Sequence, residues 1–182
     1  MGALSHTSKI PKAILQFTDG TQITNWRFFY KIYEGYGFAV SHRFEGVASG
    51  STANLYFENP SGSGMEVFII TIDIVSTGQS WVDVYRGISY TGGTSITPVN
   101  LNFSNGKSSV CTVKHTITRT DGTLVHSTVV PGGSKQNAVG GVAEVGETVV
   151  IPEGFNFSVE VTNKSDSAED ISIRVVWWEE TL

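Results

Sequence analysis

The strictest constraint on what this chain can fold into is a two-residue alternation near its C-terminus. Phe155, Phe157, Val159 and Val161 alternate with Asn156, Ser158 and Glu160, and Ile171, Ile173, Val175 and Trp177 alternate with Ser172, Arg174, Val176 and Trp178. Successive side chains of a strand point to opposite faces, so this period gathers an apolar row on one side of a sheet and would scatter it around a helix. The first stretch is expected to have one face in a core and one in water. The second is also apolar on its outer side near its end, where Val176 and Trp178 stand.

Upstream, from Phe38 onward, strand-length segments follow one another between turns rich in Gly, Pro, Asn, Asp and Ser. They run over 37–47, 52–58, 65–76, 80–87, 95–103, 108–119, 123–130, 138–150, 155–163 and 170–179. These segments, about ten strands at sandwich spacing, predict an all-β antiparallel β-sandwich of jelly-roll-like type. Segment 67–72 (Val67, Phe68, Ile69, Ile70, Thr71, Ile72) is apolar on both faces, as for a strand covered on both sides. Val67 and Ile69 therefore join Val176 and Trp178 as a candidate assembly surface. Residues 1–26, with Pro11 and the turn Thr18-Asp19-Gly20-Thr21, keep neither period and read as an N-terminal arm or docking segment, leaving 27–182 as the sandwich domain. Within that domain 27–33 is aromatic and bounded by Gly35 and Gly37, which predicts a strand or a helical turn packed on the sandwich. Asn59 and Asn163 each end one apolar strand and open a Ser-rich loop before the next, a shared turn chemistry in which side chains bond nearby backbone.

Composition narrows the function classes. A chain of 182 residues buries one substantial core. Only 16% of residues are charged, against roughly 25% in ordinary soluble domains, which implies that partners cover part of the surface. The formal charge is −5 with no Lys/Arg cluster, so direct nucleic-acid binding lacks an electrostatic basis. Cys111 is the only cysteine and no Cys/His set has zinc spacing, so neither disulfide, metal nor other cofactor is expected. No run approaches the roughly 20 apolar residues of a membrane span, and no signal-peptide pattern opens the chain. Synthesis in the cytoplasm without membrane insertion is the expectation.

The stretch 55–69, with Asn59-Pro60-Ser61-Gly62-Ser63-Gly64 between two strands, resembles a hairpin of minor structural proteins in tailed phages and related viruses. Pro152-Glu153-Gly154-Phe155-Asn156, the strand end Thr162-Asn163 and the closing Trp177-Trp178-Glu179-Glu180 extend the resemblance over roughly residues 45–180. It implies a non-enzymatic virion component such as a capsid decoration, spike, turret or coat jelly roll. The partners it implies are other capsid proteins and further copies of the chain, with a trimer favoured by jelly-roll analogy.

Residues that invite other chemistry lack the motifs that chemistry needs. His6, His42, His115 and His126 are scattered, and His115, Asp121 and Ser127 supply the residue types of a triad without a nucleophile elbow. Asp73, Asp83, Glu144 and Glu147 offer carboxylates but no calcium-loop spacing. Gly132-Gly133 and Gly140-Gly141 flank a loop that runs on into a strand pattern, unlike a phosphate-binding loop. Asn102-Phe103-Ser104, Asn156-Phe157-Ser158 and Asn163-Lys164-Ser165 match the glycosylation triplet by chance. Trp81, Tyr85 and Tyr90 are candidate ligand-facing aromatics, which carry the alternative reading of a carbohydrate- or host-receptor-binding module.

Overall fold

Alternation and turns are realised as two antiparallel six-stranded sheets in a computed structural model that describes residues 24–131, 141–144 and 149–182. After helix α1 (Thr24–Tyr33) come β1 (Gly37–Val47), β2 (Thr52–Asn59), β3 (Met65–Ser76), β4 (Ser80–Arg86), β5 (Tyr90–Ile96) and β6 (Val99–Asn100). Next are β7 (Thr112–Arg119), β8 (Thr123–Val130), β9 (Gly141–Glu144), β10 (Val149–Ile151), β11 (Phe155–Asn163) and β12 (Glu169–Thr181). One sheet has the order β10-β3-β12-β1-β6, with β9 also on β3, and the other has β5-β7-β2-β11-β4-β8. Within them β1-β12-β3-β10 and β2-β11-β4-β8 follow the strand order of a jelly roll. Segment 87–122 is inserted between the last two strands of the second quartet and widens both sheets.

Ile171, Ile173, Val175 and Trp177 of β12 are wholly buried, as the alternation requires, and meet Leu55, Phe57, Val159 and Val161 in the core. Phe57 lies edge-on to Trp177 at 4.9 Å and stacked on Phe157 at 5.1 Å. The two strand-end asparagines act alike. Asn59 Nδ2 donates to the carbonyls of Met65 and Ile151, and Asn163 Nδ2 to those of Val47 and Ser167, so each staples its hairpin to a third segment.

Several expectations are corrected. Val67 and Ile69 point into the core, because the bulge between Val176 and Trp177 sets them opposite Glu179 and Trp177. Trp178 is covered by the chain itself: Phe68 stacks on it at 4.0 Å, and the Arg27 and Lys31 cations of α1 lie over its ring. Val176 is buried too. None of the four is available as an assembly surface. The 95–103 segment is two strands, β5 starting at Tyr90 and β6 ending at Asn100, broken at Pro98, which has no N–H for a ladder. The 138–150 segment is likewise β9 and β10, with 145–148 outside the described residues. The arm boundary falls inside α1, which takes 24–26; residues 1–23 lie outside the described residues.

Helix α1 is held by its C-terminus. The Gly35 N–H bonds the Ile32 carbonyl and the Tyr36 N–H the Lys31 carbonyl, with Gly35 at φ +82°, the left-handed closing turn that glycine adopts without strain. The next three carbonyls would be left open. They are taken by the loop 101–111 and the residue before it: Asn102 Nδ2 bonds Tyr33 O (2.9 Å), Asn105 Nδ2 and Lys107 Nζ bond Glu34 O, and Asn100 Nδ2 bonds Gly35 O (2.9 Å). A Cβ at Gly35 would overlap the Asn105 amide.

The same loop is anchored at its far end by a buried carboxylate. Glu179, 1% exposed, accepts hydrogen bonds from Ser109 Oγ (2.5 Å), Val110 N and Trp177 Nε1 (3.1 Å). Burial, and next the Glu179 carboxylate, push the Cys111 thiol far above its ordinary pKa, so it offers no thiolate. Glu179→Ala would strand the buried Trp177 Nε1 donor and the half-buried Ser109 and Val110 donors, and about 3 kcal/mol of stability should be lost by urea unfolding. Glu45→Ala, at an exposed ion pair with Arg43, should change it by less than about 0.5 kcal/mol.

Candidate functional site

The outer face of the second sheet was expected to be solvated along β11. Instead Ser158 is wholly buried and Glu160 is partly covered, because a two-stranded ribbon arches over that face. Its two limbs run over 86–90 and 119–123 and are strand only at their ends. Arg86 pairs with Thr123, Thr120 N–H donates to Ser89 O, the Asp121 carboxylate accepts the Ser89 N–H, and Tyr90 pairs with Arg119. The ribbon leaves the sheet at the β4–β8 edge, passes outside β11 and β2, and rejoins it through β7.

Two outward asparagines peg it down. Asn156 of β11 bonds both the N–H and the carbonyl of Ile88 (2.8 and 3.2 Å), and Asn54 of β2 bonds both those of Ile117 (2.8 and 2.9 Å). A side-chain amide has the donor and acceptor of a peptide group, so each replaces a neighbouring strand where the ladder lifts away. The lift begins at Thr116, whose φ of +57° turns the chain and sends Ile117 to the outer side. Beneath the arch Tyr56, Ile88 and Ile117 form a second small core with Tyr85 and Tyr90 packed against it. Burial, and next the Glu58 carboxylate, push the Tyr56 phenol far above its ordinary pKa.

The three candidate ligand-facing aromatics are thereby separated. Tyr85 lies under the Arg119 guanidinium at 3.6 Å, itself paired with Glu160, and Tyr90 packs on Tyr56 at 4.2 Å, so both are building material of the arch. Trp81 stands apart and half exposed, with Lys164 Nζ 4.1 Å above its ring.

The other chemistry-bearing residues do not converge. Asp83 accepts from Ser127, Asp121 from the ribbon, and Asp73 pairs with Arg174. His126 borders a groove of about 750 Å³ between the β8 and β10 edges, with Val125, Val149, Val150 and Phe155. His6, Glu147 and the glycine-flanked 134–137 lie outside the described residues, as does the Glu144 side chain. Among the described residues no three metal-ligating side chains come together.

His42 and His115 do meet. They stack at 3.8 Å across the two sheets, with Phe44 edge-on to both and Thr116 Oγ 2.9 Å from His115 Nδ1.

One exposed surface had no warning in the strand pattern. On α1, Phe28, Lys31 and Ile32 turn toward the sandwich while Phe29, Tyr30 and Tyr33 face out, 61%, 48% and 73% exposed. Phe103, on the loop bonded to the helix end, is 90% exposed. The spacing 29, 30, 33 was readable as one helical face; what hid it was the choice between strand and helix for so short a segment. Comparison with models of protein families, with curated proteins and with solved structures returned no match for this chain.

The histidine pair makes a testable prediction. Burial, and next the charge on His115, hold the His42 pKa below its ordinary value near 6.5. The unfolded chain then binds more protons than the folded one as pH falls, so this contribution to stability is present above about pH 6.5 and is lost on acidification. Between pH 8 and 5 the thermal midpoint should fall, and His42→Gln should flatten that fall; an equal slope in the variant would contradict it.

Proposed function

We propose that this protein is a non-enzymatic structural component of a virus particle, a decoration or coat subunit that docks on a shell. The observation carrying the reading is the outward aromatic row Phe29, Tyr30 and Tyr33, with Phe103 beside the helix end, on a helix fixed rigidly to a jelly roll. Exposed apolar patches mark interaction sites, and aromatic anchors held in place lose little entropy on docking. The hairpin resemblance and the low charge support the same reading, and jelly rolls serve both capsids and lectins, so the site and not the fold must decide. Synthesis in the host and residence in the virion follow from it.

A second reading, a glycan- or receptor-binding module, is favoured by Trp81 alone, whose half-exposed ring and adjoining Lys164 suit a sugar face. The two separate in one comparison. Particles purified on a density gradient should carry the wild-type protein and lose a Phe29→Ser, Tyr33→Ser, Phe103→Ser variant of unchanged thermal midpoint, while Trp81→Ala stays bound. Wild-type protein absent from the particles would overturn the docking reading. Glycan-array binding abolished by Trp81→Ala would establish the second.

A further inference from the structure

The sheet edges are not alike. Among the described residues, strands β6, β9 and β10 are two to four residues long, and β5 carries Gly92 and Gly93, both at positive φ, which twist it out of a regular ladder. Strand β8 is eight residues long and pairs only with β4 among the described residues; β9 comes near it but forms its ladder with β3. Its sequence, Thr123-Leu124-Val125-His126-Ser127-Thr128-Val129-Val130, contains no Lys, Arg, Asp, Glu, Pro or Gly. Charged side chains and Pro are the residues with which proteins blunt an edge against pairing, and the one irregularity of β8 is the bulge at Val125, where its register to β4 shifts. Leu124 and Val129 on its outer side are half exposed, and Trp81, opposite Val129 in the ladder, is half exposed as well.

We infer that β8 is a self-association edge, which pairs antiparallel with β8 of a second copy about a two-fold axis and joins the two outer sheets into one. The unpaired backbone groups of an edge are satisfied by another strand, and two identical strands running antiparallel are closed by a two-fold axis. An uncharged strand meets its own copy without like-charge repulsion, so it is self-complementary in charge. Edge pairing of this length buries less than the roughly 800 Å² per partner of a standard interface, so the dimer is concentration-dependent. The inference gives the self-association implied by the resemblance a surface and a symmetry, two-fold in place of the three-fold expected by analogy. It does not depend on docking to a shell.

Sedimentation over a concentration series tests it with opposite charges. Wild type should dimerise, while Leu124→Lys, Val129→Lys and Leu124→Glu, Val129→Glu double variants should each bind themselves at least about tenfold more weakly, since like charges face across the axis. An equimolar mixture of the two should dimerise again. Half-exposed positions let both variants keep the wild-type circular dichroism. A wild type that is monomeric at millimolar concentration, a Lys variant that still dimerises, or a mixture that stays monomeric would each overturn the inference. None of these substitutions touches α1 or Phe103, so particle binding by the monomeric variants reads the docking proposal separately.

Discussion

Side-chain amides bonded to the main chain fix the main attachments outside the sandwich core. A jelly roll buries the inner faces of its sheets by alternation alone, but its outer faces, helix ends and hairpin ends still contain peptide groups without partners. This chain answers many of them with asparagine. Asn100, Asn102 and Asn105 take the last carbonyls of α1, Asn54 and Asn156 hold the two strands of the ribbon, and Asn59 and Asn163 close hairpins. Each bond alone contributes about 1 kcal/mol. Together they decide where the helix and the arch can lie.

Coverage of the outer faces follows from these attachments. On one sheet α1 lies over Trp178 and turns its remaining aromatic side outward; on the other the ribbon lies over Tyr56 and Ser158, and β8 pairs only with β4 among the described residues. The surfaces offered to partners are thus what remains after the chain has covered itself. Trp178 and Tyr90 look like binding residues in the sequence because they are large, aromatic and on outer faces, yet both are used internally.

The core strands were legible because alternation is local: β1, β3 and β11 occupy the bounds expected of them, and β12 extends its expected bounds by one residue at the start and two at the end. The jelly-roll-like sandwich was legible for the same reason. The arch was not, since nothing near Ile88 says that Asn156, 68 positions away, will bond it. Nor does a threonine at positive φ announce itself: Thr116 turns the chain so that Val113 packs in the main core and Ile117 beneath the arch, a shift from one face of the sheet to the other. The fate of Val67 and Ile69 depended on such a shift opposite Trp177. Of the site, the aromatic content was visible, and its division between inner packing and outer display was not.

Amide hydrogen exchange on an Asn54→Ala, Asn156→Ala variant tests this account most directly. Protection should fall along the ribbon, at Ile88, Ser89, Ile117 and Thr120, while β1, β3 and β12 keep wild-type protection and Trp177 fluorescence is unchanged. Unchanged protection of the ribbon, or an equal loss of protection throughout both sheets, would contradict it.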